Sequence, residues 1–180
     1  MDENLLQGMN IGSEGKALIE RWEGRRSTAY QDTAGLWTIG IGHLIGTDEQ
    51  WMRTATLSAA QIDELFRRDV QWAEAATNRL FPSVRRQNQF DALVSFVYNL
   101  GETQVRNGTL DDLIAQGATP ESISAKWLQY NRSGGYVTPG LVARRTMEVM
   151  LYWSHLWKTV LVCLFIAAAL FTGAAYTFLA

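Results

Sequence analysis

The C-terminal end of the chain is a long segment without charge, and it limits the possible folds more than any other feature. Residues 159–180 contain no Asp, Glu, Lys or Arg, and 18 of these 22 residues are apolar. As a helix the segment would be about 33 Å long, against a hydrocarbon core of about 30 Å. Trp153, Trp157 and Lys158 precede it, as interface anchors do. We therefore expect a folded domain at residues 1–155 and a transmembrane helix at residues 156–180.

Two other interpretations of this segment stay open. It could be a buried core helix, although a helix that is apolar all round needs a large protein to bury it. It could also be a releasable or membrane-perturbing tail, because six Ala and Gly173 make it only moderately hydrophobic. Arg144, Arg145 and Lys158 lie on its N-terminal side. For a membrane-spanning helix, these charges favour a domain on the cytoplasmic face.

The composition excludes several function classes. With 47% apolar residues, 19% charged residues and a net charge of −2, the chain is neither disordered nor a strongly basic nucleic-acid binder. The single cysteine, Cys163, cannot form an internal disulfide. His43 and His155 are far apart and there is no second Cys, so we expect no metal and no cofactor. The acidic N-terminus lacks the features of a signal peptide.

The first part of the chain predicts one helix followed by a short β region. Ser13 is expected to cap a helix that ends at Glu23, with Gly24 directly after it. Residues 30–35 predict a short strand and a turn. Residues 37–43, in which apolar side chains alternate with Thr and Gly, predict the next strand.

The rest of the domain has helical periodicity. The fold class is therefore α+β: an N-terminal helix, a small antiparallel β-hairpin or sheet and a helical bundle, followed by the C-terminal hydrophobic helix. The last helix of the bundle is expected to run into that segment. The expected helix starts are a capping box at Ser58 and Gln61, then Pro82, Thr109, Thr119 with Pro120, and Thr138 with Pro139.

Two carboxylates and a hydroxyl surround the junction between the first helix and the β region. Glu23 ends the helix, Asp32 ends the first short strand, and Thr38 begins the next. A hairpin would bring Asp32 and Thr38 side by side, facing the helix end that carries Glu23. Spacing alone does not distinguish this arrangement from ordinary surface carboxylates.

Such a set can hydrolyse a glycosidic bond, because one carboxyl must give a proton while another stays ionised and activates water. Glu23 lies at a helix C-terminus, where the macrodipole disfavours negative charge, and Trp22 beside it adds desolvation. Asp32 lies next to a polar turn and is expected to stay charged. Thr38 offers a hydroxyl that can hold a water against Asp32.

Several motifs resemble those of the phage-type lysozymes, the T-even-phage and lambdoid endolysins of glycoside hydrolase family 24. The resemblance covers about residues 9–152. Its most specific element is the string WTIGIGH after a correctly spaced Glu and Asp. The matching motifs are WEG (22–24), YQD (30–32), GLWTIGIGH (35–43), YNLGET (98–103), WLQYN (127–131) and GYVTPGLVARR (135–145).

The resemblance implies a lysozyme-like fold and a muramidase that cuts the β-1,4 bond between N-acetylmuramic acid and N-acetylglucosamine in peptidoglycan. It assigns Glu23 as the general acid, Asp32 as the base that activates water, and Thr38 as the residue that positions this water. This set is typical of the inverting members. Relatives that keep only the Glu act as lytic transglycosylases.

The resemblance also implies substrate-binding residues and an ion pair. Leu44, Tyr98 and Thr109 fall where family members contact sugar. In the family an Arg on the last helix pairs with the catalytic Glu, and either Arg144 or Arg145 could do so here.

The predicted function is that of an endolysin that lyses the host cell for phage release. Its partners would be peptidoglycan and, through the tail, the host inner membrane. The bond to be cut lies outside that membrane, so either a phage holin or the tail itself would have to breach it. Two alternatives stay open: a lytic transglycosylase, or a membrane-lytic protein that uses the fold as a cell-wall binding module.

Overall fold

A helix and a three-stranded antiparallel sheet come first, and six helices follow, in the computed structural model, which describes residues 8–32 and 35–156. This is the expected α+β arrangement. In chain order the elements are α1 (Ser13–Glu23), β1 (Arg26–Gln31), β2 (Trp37–Gly40), β3 (His43–Leu44), a 3-10 helix (Gln50–Arg53), α2 (Ala59–Leu80), α3 (Gln87–Leu100), α4 (Glu102–Arg106), α5 (Leu110–Ala115), α6 (Pro120–Leu128), β4 (Arg132–Ser133), β5 (Tyr136–Val137) and α7 (Pro139–Tyr152).

The sheet has β2 at its centre, with β1 and β3 on either side. Thr38 on β2 pairs with Tyr30 on β1 and with Leu44 on β3. Side chains of directly paired residues point to the same face of a sheet. Thr38 therefore lies between Tyr30 and Leu44 on one face. A second hairpin, β4 and β5, was not predicted from the sequence.

Helix α3 forms the centre of the helical part of the fold. All residues from 90 to 97 are buried, and the helix packs against α1, α2 and α7. A helix that is buried all round needs neighbours on every side, and these three helices supply them. Helix α1 also contacts α7, and Glu23 is the last residue of α1.

The expected start of α1 needs a correction. Gly12, not Ser13, is the N-cap residue, and no side chain of its own segment caps the helix. Instead the buried carboxylate of Asp91 on α3 accepts hydrogen bonds from the N–H groups of Gly12 (2.7 Å) and Gly15 (3.0 Å). An acceptor from another helix satisfies the free donors at the start of α1, so the Ser13 hydroxyl is not needed there.

Two further boundaries differ from expectation. The predicted strand over residues 37–43 is broken into β2 and β3, because Gly40 (φ 68°) and Gly42 (φ 73°) adopt the left-handed conformation of a tight turn. Pro82 does not begin a helix. It lies in a turn that ends before α3, where the buried Val84 donates its N–H to the carbonyl oxygen of Phe81.

The other expected starts agree with the structure. Ser58 and Gln61 form both hydrogen bonds of a capping box. The Thr119 side chain accepts a hydrogen bond from the N–H of Ser122, with Pro120 directly after it. Thr109 is the residue before α5, without a side-chain cap.

The C-terminal end of the described chain does not form one continuous helix. Helix α7 ends at Tyr152, with Trp153 in a turn and residues 154–156 again helical. The predicted hydrophobic helix at 156–180 lies outside the described residues, apart from its first position. None of the helices within residues 8–32 and 35–156 combines the length and apolar character that crossing a bilayer requires.

Candidate active site

Glu23 is the last residue of α1, and Gly24 (φ 80°) then turns the chain into the β region. Arg144 Nη1 on α7 donates a hydrogen bond to Glu23 Oε1 at 2.8 Å. The Arg144 side chain is almost fully buried, whereas 27% of the Glu23 side chain is exposed. Of the two arginines left open by the sequence, Arg144 therefore pairs with Glu23, and part of the Glu23 side chain still reaches solvent.

The turn between β2 and β3 packs directly against the Glu23 side chain. A Cβ atom at position 42 would lie 3.2 Å from Glu23 Cβ, 3.3 Å from its Cγ and 3.4 Å from its Oε2. Gly42 also has a positive φ, which disfavours any other residue. This glycine lets the turn approach closely and fixes one side of the carboxylate.

Asp32 and Thr38 both contact the backbone of Leu36 at the end of the β1–β2 hairpin. Asp32 Oδ1 accepts a hydrogen bond from the Leu36 N–H at 2.9 Å, and Thr38 Oγ1 donates to the Leu36 carbonyl oxygen at 3.3 Å. Asp32 directly follows β1, and its N–H donates to the Leu36 carbonyl oxygen at 2.9 Å. The end of the hairpin thus brings both Asp32 and Thr38 to the backbone of Leu36, while the contacts of Glu23 described above are with Arg144 and Gly42.

Tyr98 on α3 forms an aromatic pair with Trp72 on α2. Burial raises the pKa of Tyr98 to about 12, and the negative charges of Glu23 and Asp69 act in the same direction. The Tyr98 ring stacks on Trp72 of α2, with centroids 5.9 Å apart and planes inclined by 22°. The Trp72 side chain remains 46% exposed, so this stack is open to solvent on one side.

Leu44 and Thr109 occupy different surroundings. Leu44 is 54% exposed and pairs with Thr38, so it lies on the same face of the sheet. Thr109 is exposed at the start of α5, where its carbonyl oxygen accepts a hydrogen bond from Leu113 N–H. The structure thus groups Leu44 with Thr38 and groups Tyr98 with Glu23, and it places Thr109 at the beginning of α5.

Behind Glu23 lies a buried polar network centred on Glu148 of α7, which the sequence analysis did not identify. The Glu148 side chain is fully buried. Its Oε1 accepts hydrogen bonds from Ser95 Oγ (2.9 Å), Arg145 Nη2 (2.8 Å) and Arg144 Nε (3.4 Å), and its Oε2 accepts one from Trp127 Nε1 (3.1 Å). The i+3 and i+4 spacing of Glu148 from the two arginines could have indicated these pairs.

The charges in this network balance one another. Burial raises the pKa of Glu148, and the two guanidiniums act against burial. The indole and guanidinium groups around it can only donate hydrogen bonds, which favours the ionised carboxylate. Burial lowers the pKa of Arg145 to about 10, so this guanidinium is still charged at neutral pH.

The burial of Arg144 and Arg145 also changes the argument on membrane orientation. Both were counted as positive charges flanking the hydrophobic segment, but both are buried in ion pairs inside the domain. They are therefore not available as surface charges beside a membrane. The charge argument now depends on Lys158, which lies outside the described residues.

His43 connects the sheet to the helical part of the fold. Its Nδ1 lies 2.9 Å from Asp69 Oδ2 on α2, and its Nε2 lies 2.8 Å from Glu49 Oε2. The hydrogen bond to Asp69 raises the pKa of His43, although burial opposes this, and Glu49 adds to the effect. Burial works against ionisation of Glu49, but hydrogen bonds from His43, Gly46 and Arg68 lower its pKa overall.

Comparison with known proteins places this geometry in a family. The sequence profile of the family described as Phage lysozyme matches residues 20–148. The endolysin of Bacillus phage PZA is 38% identical over 154 residues, which cover 84% of this chain. Two solved structures are similar in fold. A P22 lysozyme mutant has a TM-score of 0.72 and 30% identity, over 80% of this chain and 98% of that one. The muramidase domain of SpmX from Asticaccaulis excentricus has a TM-score of 0.67 and 31% identity, over 79% of this chain and 97% of that one.

The chain does not cover the whole of its relatives. The match spans 58% of the length of the Bacillus phage PZA endolysin and 54% of that of Bacillus phage B103. The similarity therefore concerns the lysozyme-like part of those proteins.

Proposed function

Because the chain belongs to the phage lysozyme family, we propose that it is an endolysin that hydrolyses the β-1,4 bond between N-acetylmuramic acid and N-acetylglucosamine in bacterial peptidoglycan. The observation that carries this proposal is the corner at the end of α1, where Glu23 is held by Arg144 and Gly42. A partly exposed carboxyl with fixed neighbours can present one oxygen to a substrate. The family membership supplies the class of substrate.

In this reaction Glu23 is the general acid. It gives its proton to the oxygen of the leaving sugar as the glycosidic bond breaks. The Arg144 guanidinium then stabilises the carboxylate that remains, through the hydrogen bond to Glu23 Oε1.

Asp32 and Thr38 act on the water that replaces the leaving sugar. Asp32 accepts a proton from this water while Thr38 holds it by its hydroxyl. This arrangement inverts the anomeric configuration, with the Glu23 and Asp32 carboxyl groups roughly 6.5–9.5 Å apart to leave room for the water. The contacts of both Asp32 and Thr38 with the backbone of Leu36 support this assignment.

Substrate binding involves Tyr98, Leu44 and Thr109. The stacked rings of Tyr98 and Trp72 offer an exposed aromatic surface beside Glu23, and Leu44 offers an apolar side chain beside Thr38. Thr109, at the start of α5, is proposed from the family resemblance alone.

The test compares Glu23→Gln with Glu20→Gln in the full-length chain. Glu20 lies three residues earlier on α1, and its carboxylate pairs with Arg25. Release of muropeptides from purified peptidoglycan should fall by about 10²-fold or more for Glu23→Gln and should not change for Glu20→Gln. Turnover by Glu23→Gln at the rate of the unmodified chain would remove Glu23 as the acid.

The division of the chain is also part of the proposal: a catalytic domain at residues 1–155 and a membrane helix at 156–180. The charge-free sequence of residues 159–180 supports it. The helix would anchor the domain at the host inner membrane until a holin, or the tail itself, breaches that membrane. Protease added to intact spheroplasts should leave the domain undigested before any holin acts, and complete digestion would contradict a cytoplasmic domain.

A further inference from the structure

The hydrogen bonds of Glu148 go to Ser95, Trp127 and the two arginines and not to Glu23 itself, yet its side chain is fully buried. A buried carboxylate is costly unless several donors satisfy it. Here the donors include Arg144, which itself donates to Glu23. The result is a line of alternating charge that runs Glu23, Arg144, Glu148, Arg145.

We infer that Glu148 is a positioning residue that holds the Arg144 guanidinium against Glu23 and offsets part of its positive charge. The inference depends on the proposed role of Glu23 as the general acid. It concerns how the Glu23 carboxyl is kept in place and which charges act on its partner Arg144.

The positioning part follows from the three sides of the Arg144 guanidinium. Nη1 donates to Glu23 at 2.8 Å, Nε donates to Glu148 at 3.4 Å, and Nη2 donates to the Ser95 carbonyl oxygen at 3.4 Å. A planar guanidinium with partners on all sides has one orientation. Glu148 is the only one of these partners that is both charged and fully buried. Moving its carboxylate would therefore release the side of Arg144 that faces away from Glu23.

The electrostatic part follows from the signs of the charges. Arg144 alone favours the ionised form of Glu23, whereas a general acid must carry its proton before the reaction. The negative charge of Glu148 on the other side of Arg144 reduces that attraction. Arg145 is a second cation in this network, and it forms an ion pair with Glu148.

Other titratable groups also face this corner. Tyr98 on α3 is neutral throughout the working range, because its pKa is raised to about 12 by burial and by Glu23 and Asp69. Asp69 on α2 is hydrogen-bonded to His43, and Asp32 follows β1. These groups are present in both the unmodified chain and a Glu148 variant, so the comparison of the two pH profiles tests the charge at position 148.

The main variant is Glu148→Gln in the full-length chain, which removes the charge and keeps the shape. With soluble peptidoglycan fragments as substrate, the alkaline limb of the kcat profile should move to lower pH by about one unit. At neutral pH kcat should fall about tenfold while KM stays the same. Thr77→Val is the control for a buried polar substitution, since Thr77 on α2 is buried and its hydroxyl donates only to Ala73. Its pH profile should match that of the unmodified chain.

A second variant, Glu148→Asp, keeps the charge but shortens the side chain. Its alkaline limb should stay in place, and kcat should fall because Arg144 Nε loses its partner. This variant decides the matter if Glu148→Gln does not fold. An unchanged kcat in folded Glu148→Asp, or an unchanged alkaline limb in folded Glu148→Gln, would overturn the inference.

The two proposals fail in different ways. If the unmodified chain releases no muropeptides, or Glu23→Gln remains active, the proposed function is wrong. If the unmodified chain is active and Glu23→Gln is inactive, but the Glu148 variants match the unmodified chain in kcat and pH profile, only the inference about Glu148 is wrong.

Discussion

Replacing Gly42 by Ala tests whether the turn between β2 and β3 fixes the Glu23 carboxyl. The substitution has two separate effects. The backbone at position 42 has a φ of 73°, where an alanine is strained. The new Cβ would also press on Glu23, at 3.2 Å from its Cβ, 3.3 Å from its Cγ and 3.4 Å from its Oε2.

Each effect has its own size. The left-handed conformation costs an alanine roughly 1–2 kcal/mol, which lowers Tm by about 2–8 °C in a domain of this size. The contacts force Glu23 aside by a few tenths of an ångström. A misplacement of about 1 Å costs about 100-fold in rate, so we expect kcat to fall about tenfold for the smaller shift.

Gly117 provides the matched control. It also has a positive φ (65°), but a Cβ there would meet no atom within 4 Å. Gly117→Ala should therefore lose similar stability and keep the full kcat, whereas Gly42→Ala should lose both. The assays are thermal unfolding and muropeptide release at a temperature where both variants are folded. Equal kcat for the two variants would refute the idea that this turn positions Glu23.

Three other predictions concern stability and binding. His43 should stabilise the fold most between pH 4.5 and 6.5. The raised pKa of His43 gives stability that is lost as pH rises beyond 6.5. The lowered pKa of its partner Glu49 gives stability that is lost as pH falls below 4.5. Urea unfolding of His43→Asn against pH measures this, and a pH-independent difference would contradict it. Trp72→Ala should raise KM about tenfold, whereas Trp51→Ala, an exposed Trp on the 3-10 helix, should not. Equal changes in KM for Trp72→Ala and Trp51→Ala would show that the Tyr98–Trp72 pair does not contact the sugar. Asp91→Ala should cost about 1–3 kcal/mol in the free energy of unfolding, since it leaves the first turn of α1 without its acceptor. If urea unfolding shows a smaller loss of free energy than this, water replaces the Asp91 carboxylate as the acceptor.

Local patterns predicted the elements whose causes are local. The end of α1 at Glu23, the capping box at Ser58 and Gln61, and the start of α6 at Thr119 each depend on residues within four positions of one another. Hydrophobic periodicity and capping chemistry act over this distance, so the sequence contains the necessary information.

Contacts between distant segments were not predictable in this way. The acceptor for the start of α1 is Asp91, 79 positions from Gly12. The choice of Arg144 over Arg145 depends on which side of α7 faces Glu23, 121 positions away. The alternation of apolar residues over 37–43 indicated one strand, because the pattern does not reveal that Gly40 and Gly42 take positive φ values.

In the candidate site, too, some residues could be predicted from the sequence and others only from contacts between distant segments. The resemblance indicated Glu23, Asp32 and Thr38 together, and in the structure the last two both contact the backbone of Leu36. Glu148 was missed because a carboxylate on a helix is usually at the surface, and only the packing of α3, α6 and α7 around it reveals that it is buried.

The most direct test of the central claim, that Glu23 gives a proton while Asp32 and Thr38 direct a water, is mass spectrometry of the muropeptides that the full-length chain releases in isotopically labelled water. The account predicts N-acetylmuramic acid with a free reducing end that carries the label. Products that end in a 1,6-anhydro ring without label would contradict it, because no water would then have attacked the sugar.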